Sequence, residues 1–520
     1  MPKSFYITTP IYYVNDRPHI GHASTTVWAD VQARYRRMLG AKTLFLTGLD
    51  EHGMKVQQAA EKRGVSPQQH CDEMAPHFQS LWKTLNISNN AFIRTTDSHH
   101  KKVVQDFLSK LHAAGQIYKK KYHGWYSRAA EQFVTEKEMV DGKFPAHLGE
   151  VIELEEENYF FKMSAHQEWL IDYIKKNPEW IRPENRRNEV LGTLQRPLED
   201  LCISRPKARL AWGIPIPFDP EYVTYVWVDA LVNYISAIGY GEDRFNECWP
   251  ADYHLIAKDI LTTHCVYWPT MLHAVGLEMP RCILAHGWWL FRDEKMSKTL
   301  GNIVNPLNLI GRFGADAVRY FICRELQLGT DTDFSEERFL QRFNADLAND
   351  LGNLVNRSLS MLQRYRDGVV PEAGGEEKFD EELKQSINET YGAYRSAMDQ
   401  VKYGLALESV WKLVTRGNRY VDENAPWKLA KEATASKRLD TVLNHLVNTV
   451  AHLARFIAPF MPSIASKIES QLLTPGLLDK RNERLEVFYV GALTAEFFQV
   501  IPTGHKIGKP EPLFPRQAKE

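Results

Sequence analysis

The chain reads as an α/β protein: a doubly wound parallel sheet, split by an insertion and followed by an α-helical bundle. Three patterns predict this. Strand-prone and amphipathic helical runs alternate at the start of the chain and resume after about residue 214, whereas the stretch 115–214 breaks into short β-prone pieces and polar turns. From Ser335 onward strand signals almost vanish, and apolar residues recur at helical spacing through Leu340, Phe343, Leu347, Leu351, Leu354 and Leu362.

Taken in order, residues 5–9 are β-prone, 23–39 read as a helix stopped by Gly40, and 43–47 are again strand-like. Ser66-Pro67 supplies an N-cap and a first-turn proline for a further helix, and Asp97 caps an amphipathic run to residue 114. Inside the insertion, 124–126, 151–154 and 159–162 are the β-prone pieces. Beyond it, 253–257 and 281–285 read as strands flanking a helix over 260–275. Residues 367–378 form a loop within the helical region, and the proline-rich tail after Ile501 packs in extended form.

At 520 residues the chain exceeds what one core usually serves, so several domains are expected. Hydrophobic residues at 44% and charged residues at 25% exclude disordered, collagen-like and membrane-spanning classes. The first fifteen residues carry one basic residue and no apolar block with a cleavage site, which predicts a cytoplasmic protein. Six scattered cysteines without Cys-x-x-Cys spacing suggest neither a disulfide framework nor a zinc knuckle. A formal net charge of -1 provides no overall positive field, so any RNA contact must use local patches.

Two short motifs carry chemistry. Pro18-His19-Ile20-Gly21-His22 follows the first strand and delivers two imidazoles to a helix start, where backbone N–H groups and the positive dipole end favour phosphate. Gly21 would let a nucleotide approach closely. Far downstream, Lys295-Met296-Ser297-Lys298-Thr299 offers two ammonium groups to a triphosphate. Alone, the first is equally an ordinary histidine loop and the second a solvated basic turn. Their order on α/β grammar makes the pair specific.

At this point the chain resembles the class I aminoacyl-tRNA synthetases, and among them the methionine-specific members. The resemblance runs from Phe5 to Arg516 and includes FYITTPIYYVN, the segment ending Leu49-Asp50-Glu51-His52-Gly53, TYVWVDALVNY, KDILTTH, KMSKT, the Asn353 region and the ending LFPR. It implies a split Rossmann-type catalytic domain in halves 1–114 and 215–290, a connective insertion domain 115–214, a signature loop and stem-contact region 291–345, an α-helical anticodon-binding domain 346–500, and a tail 501–520. The implied reaction is ATP-dependent activation of L-methionine to its adenylate, with Mg²⁺ accompanying ATP, then transfer to tRNA(Met) for initiation and elongation of protein synthesis.

Residue by residue, the resemblance places His19, Gly21, His22, Lys295 and Lys298 on ATP, with the two histidines and two lysines as the catalytic groups. It builds the methionine pocket from Pro10, Ile11, Tyr13, Asp50, Trp227, Tyr234, Ile260 and His264, where aromatics suit a polarizable thioether and Asp50 pairs the desolvated ammonium. Asn353, Arg357 and Trp427 fall on its anticodon-reading positions. Asn353 and Arg357 are one helical turn apart, and Trp427 follows Pro426 at a helix start.

Two departures stand out. Ala257 replaces the usual glycine before Lys258-Asp259-Ile260, adding a methyl where adenosine approaches. The connective domain's zinc-knuckle positions read Ser127, Ala130, Phe144 and His147, and one histidine cannot complete a four-coordinate shell, so no zinc is expected and Phe144 should extend a small apolar core. No membrane partner is expected. Because the chain stops just after Leu513-Phe514-Pro515-Arg516, without the dimerisation domain some relatives carry, a monomer is expected. Sibling enzymes for leucine, isoleucine, valine or cysteine share both signatures, but the roughly 100-residue insertion is too short for the aliphatic editing domains and the cysteine enzyme needs thiolate ligands. A catalytically silent tRNA-binding descendant stays open, although all four signature side chains stand.

Overall fold

In the computed structural model the described residues are 4–127, 132–134, 139, 143–145, 149–291, 294–295, 304–474 and 498–514. Lys298, Ala130 and His147 lie outside them, as does the side chain of Lys295.

Six parallel strands form the central sheet: β1 (Ser4–Tyr13), β2 (Lys42–Asp50), β3 (Ala91–Arg94), β4 (Ile181–Arg182), β5 (Tyr253–Ala257) and β6 (Ile283–His286), in the order β3-β2-β1-β5-β6-β4. Strand order reverses between β1 and β5, and a crevice at the carboxyl ends of these two strands is where open α/β sheets hold ligands. The edge strand β4 comes from inside the stretch that reads as insertion; two residues carry no periodic signal of their own. Helix α1 (Ile20–Met38) returns from β1 to β2, and α2 (Val226–Ser236) enters the sheet's second half.

The insertion is built on strands Ile117–Ser127 and Val151–Phe161, paired antiparallel along their whole length. Phe144 meets Trp125 there, ring centroids 5.7 Å apart, but both rings are only half-buried, a contact rather than the small core expected from the sequence. The predicted helix over 260–275 is not one helix. It is a 3₁₀ turn (Lys258–Ile260), a π-helical turn (Thr263–Tyr267) and an α-helix (Trp268–Ala274). Such π turns re-aim side chains by one residue, and this one carries His264.

Helix α3 (Ala315–Glu325) leads into the bundle of α4 (Asn353–Arg366), α5 (Lys378–Asp399), α6 (Tyr403–Asn424), α7 (Ser436–Ile457) and α8 (Pro462–Leu472). From Leu439 to Ile457 nearly every residue of α7 is buried, polar Asn444, His445, Asn448, His452 and Arg455 included, which makes it the bundle's central rod. One continuous apolar cluster runs from α1 through α3 into the bundle; a second fills the sheet's other face beneath the insertion. Among the described residues no helix is long and apolar enough to cross a membrane.

Candidate functional site

A pocket of about 580 Å³ opens at the reversal point of the sheet, a volume suited to a small ligand. The end of β1 contributes Pro10, Ile11 and Tyr13, the end of β2 Asp50, the end of β5 Ala257, and the end of β6 His286. Helix α1 contributes Gly21, His22 and Thr25 with His19 before it, helix α2 contributes Trp227, Ala230, Leu231, Asn233 and Tyr234, and Ile260 and His264 close the far wall.

The two histidines of the first signature cap α1 reciprocally. His19 Nδ1 accepts from the backbone N–H of Gly21 at 3.1 Å, and His22 Nδ1 accepts from the backbone N–H of His19 at 3.2 Å. An imidazole that accepts at Nδ1 carries its proton at Nε2 when neutral, so both rings are fixed as Nε2–H donors. Their centroids are 3.9 Å apart. This changes the reading of the helix start: the N–H of Gly21 is taken by His19, and that of Ile20 by the carbonyl of Val304 at 3.2 Å. The imidazoles, rather than those two N–H groups, are what the helix start offers a phosphate. Gly21 has a corresponding reason to be glycine, since a Cβ would lie 2.9 Å from the His19 ring. The Ile20–Val304 bond also ties this helix start to the segment just beyond the Lys295–Thr299 signature.

Deeper in, one chain of hydrogen bonds fixes the far wall. His264 Nδ1 donates to the Ile260 carbonyl at 2.9 Å, leaving Nε2 to accept from the Tyr234 hydroxyl at 2.7 Å. Burial lowers His264 to about 4, opposed by the bond to Ile260, so the ring is neutral at physiological pH. Burial raises the Tyr234 phenol. The Trp227 and His264 rings meet edge-on at 6.4 Å. Apolar ring faces with a neutral, fully engaged polar pair suit an uncharged, polarizable side chain.

Asp50, 2% exposed, is held in place by its neighbours. The next residue, Glu51, pairs through Oε1 with Arg94 Nε at 2.6 Å and accepts from Thr96, and its carbonyl accepts from Trp212 Nε1 at 2.5 Å. His52 Nδ1 then lies 2.7 Å from Asp229 Oδ2 on α2, while His100 Nε2 lies 2.7 Å from Asp229 Oδ1. Burial disfavours the Asp229 carboxylate, but His52 and His100 overcome it and hold the group below its ordinary range. The segment carrying Asp50 is thereby bolted to the helix carrying Trp227 and Tyr234.

Sequence reasoning missed several lining residues. His286 donates from Nδ1 to the Gly287 carbonyl at 2.6 Å and accepts at Nε2 from the Thr25 hydroxyl at 2.7 Å. Gly287 approaches the backbone so closely that a Cβ would sit 1.8 Å from the Thr330 carbonyl oxygen. Lys55 lies over the Tyr13 ring at 5.4 Å. None of these has a local pattern; only the fold brings them to the pocket. The arrangement is that of an α/β enzyme binding its substrates across the reversal point of a parallel sheet.

Asn353, Arg357 and Trp427 are far along the chain from this pocket, on the bundle. Arg357, on α4, lies over the Trp427 ring at 5.7 Å and pairs with Asp422 at 2.9 Å; Asn353 is exposed one turn earlier on α4. Trp427 is 39% exposed, a large aromatic kept at the surface. Lys295 pairs through its backbone with Leu290 in a short hairpin. Among the described residues no group of three or more histidine, cysteine, aspartate or glutamate side chains is placed to hold a metal ion.

The family model described as tRNA synthetases class I (M) matches residues 5–150 and 146–359, and that described as the anticodon binding domain of methionyl tRNA ligase matches 370–520. The chain is 43% identical over 520 residues to a methionine–tRNA ligase of Caldanaerobacter subterraneus subsp. tengcongensis, covering 99% of this chain and 79% of that one. It is likewise 43% identical over 534 residues to that of Bacillus subtilis, covering 100% and 78%. The solved Mycobacterium tuberculosis methionyl-tRNA synthetase in complex with methionyl-adenylate superposes with a TM-score of 0.92 at 40% identity, covering 99% of this chain and 100% of that one. Its free form gives 0.84 at 36% identity, covering 100% and 99%. The chain belongs to the methionine-specific family of class I tRNA synthetases.

Proposed function

We propose that the pocket activates L-methionine with ATP, and that the exposed bundle surface selects tRNA(Met). A methionine carboxylate oxygen bonds to the α-phosphorus of ATP as the bond from that phosphorus to the bridging oxygen of the β-phosphate breaks, giving methionyl-adenylate and pyrophosphate. A ribose hydroxyl of the terminal tRNA adenosine then bonds to the methionyl carbonyl carbon. AMP leaves, and the hydroxyl proton passes to solvent.

His19 and His22 present Nε2–H donors to the phosphates, and Lys295 and Lys298 supply cationic charge; catalysis comes from in-line positioning and from stabilising charge that develops on the leaving group. Mg²⁺ bound with ATP would supply further charge neutralisation on the phosphates. Asp50 pairs the amino acid's ammonium, while Pro10, Ile11, Tyr13, Trp227, Tyr234, Ile260 and His264 enclose its side chain. Gly21 serves ATP indirectly, by giving His19 room. Asn353 and Arg357 read the hydrogen-bonding edge of an anticodon base stacked on Trp427. In this reading 1–114 and 215–290 perform activation, 115–214 is the connective domain, 291–345 presents the second signature and meets the stem, 346–500 reads the anticodon, and 501–520 packs as a tail.

One observation carries the reading: the reversal point brings a fixed pair of imidazole donors, a buried carboxylate and the Tyr234–His264 wall around a single space. Amino-acid-dependent ATP–pyrophosphate exchange tests it. Methionine should give the largest rate; a larger rate with leucine, isoleucine, valine or cysteine refutes the substrate, and tRNA binding without any exchange refutes the chemistry.

A further inference from the structure

A group outside both sites joins them. Arg319 on α3 is fully buried, and its guanidinium engages three separate segments. Nε donates to the Phe460 carbonyl at 2.8 Å and Nη2 to the Pro459 carbonyl at 2.8 Å, both in the link between α7 and α8 of the bundle. Nη1 donates to the Leu85 carbonyl at 3.1 Å. Nη2 also lies 2.7 Å from Asp30 Oδ2, and Asp30 is fully buried on α1, three turns along the helix that begins at His19.

Asp30 is anchored in turn. Its Oδ1 accepts from the backbone N–H and the hydroxyl of Ser88, both at 2.6 Å, and its Oδ2 from Arg34 Nε at 2.8 Å. One turn before Arg319, the Asp316 carboxylate accepts from the backbone N–H of Ile464 in the first turn of α8 at 2.6 Å. A planar fork with several donors can hold carbonyls of two segments and a carboxylate of a third at fixed angles; a single ammonium cannot. A buried charge needs its partner, so the contact cannot slide without stranding Asp30.

We propose that Arg319 is a positioning residue, fixing the tRNA-selecting bundle relative to the helix that carries His19 and His22, so that charging of full-length tRNA depends on it while adenylate formation does not. This rests on the two-site reading above. The nucleotide pocket is complete without the bundle's carbonyls, and the Arg357–Trp427 patch is complete without α1. The relation between them passes through Arg319, beside the Tyr403 hydroxyl on the Trp28 carbonyl at 2.9 Å and the Arg36–Asp399 pair at 3.2 Å, which also join α1 to the bundle. A tRNA bound at its anticodon must bring its far end to the pocket, and a displacement of about 1 Å there is of the size that costs roughly 10²-fold in rate.

The test uses the full chain with Arg319→Lys and, separately, Asp30→Asn, which removes the charge partner from the other side. Three quantities are read: methionine-dependent pyrophosphate exchange, affinity for an isolated anticodon stem–loop RNA, and kcat/KM for charging of full-length tRNA(Met). The expected result is exchange and stem–loop affinity within about twofold of the parent, with charging reduced roughly 10²-fold. Exchange falling in step with charging in both variants would make Arg319 ordinary fold support and overturn the proposal, as would unchanged charging in both. Absence of exchange in the parent would instead refute the reading on which it rests.

Discussion

The pocket and the bundle patch solve opposite problems. In the pocket, residues as distant as Thr25 and His286 are locked by hydrogen bonds that also settle which ring nitrogen carries the proton. On the bundle, Trp427 stands exposed, and Arg357 lies over its ring and pairs with Asp422, itself 65% exposed, a surface pair worth about 0–1 kcal/mol. Chemistry at a phosphorus atom demands groups that do not reorganise, whereas reading an unstacked base favours a surface that gives way.

Breaking the rigid side should have the largest effect. His22→Ala removes one Nε2–H donor and also the acceptor for the His19 N–H, so the exchange rate should fall by about 10²–10³, the usual loss for one such donor, with the KM for methionine little changed. Steady-state exchange kinetics decide it; an unchanged rate would mean that the capping pair is structural only.

Acid probes the same side through stability. His264 titrates near 4 when folded, against an ordinary 6.5. As pH falls the unfolded chain takes this proton first, so the group's contribution is complete above about 6.5 and is lost as pH drops toward about 4, roughly 3 kcal/mol over that window. Urea denaturation at pH 7 and pH 4.5 should show a smaller acid loss in His264→Asn than in the parent. Equal losses would contradict a buried, neutral ring.

The smallest effect concerns metal. With Ser127 and Phe144 at knuckle positions, a chelator strong enough for zinc should leave exchange unchanged in excess Mg²⁺. Loss of activity reversed by zinc would show a site the donor set does not suggest.

What could be read from the sequence was local or shared with relatives. Strand, turn and helix around His19 follow from a few consecutive residues, and the cap there needs nothing from afar. Asp50, Trp227, Tyr234 and His264 were legible by resemblance. The bolts were not: His52, His100 and Asp229 lie on three separate segments and Arg319 and Asp30 on two, and polar pairs this far apart leave no periodicity. The π turn at His264 was hidden for a different reason, since its apolar spacing is that of an ordinary helix. The expectation of N–H groups at the α1 start failed at Gly21 because a histidine cap looks like a loop until its ring is seen folding back.

The most direct test of a rigid activating pocket served by a separate, yielding recognition surface is Trp427→Ala, assayed on one preparation for both pyrophosphate exchange and tRNA(Met) charging. Loss of a stacked base worth about 1–3 kcal/mol should lower kcat/KM for tRNA by roughly 10- to 100-fold and leave methionine-dependent exchange at the parental rate. A parallel fall in exchange, or full charging without Trp427, would contradict it.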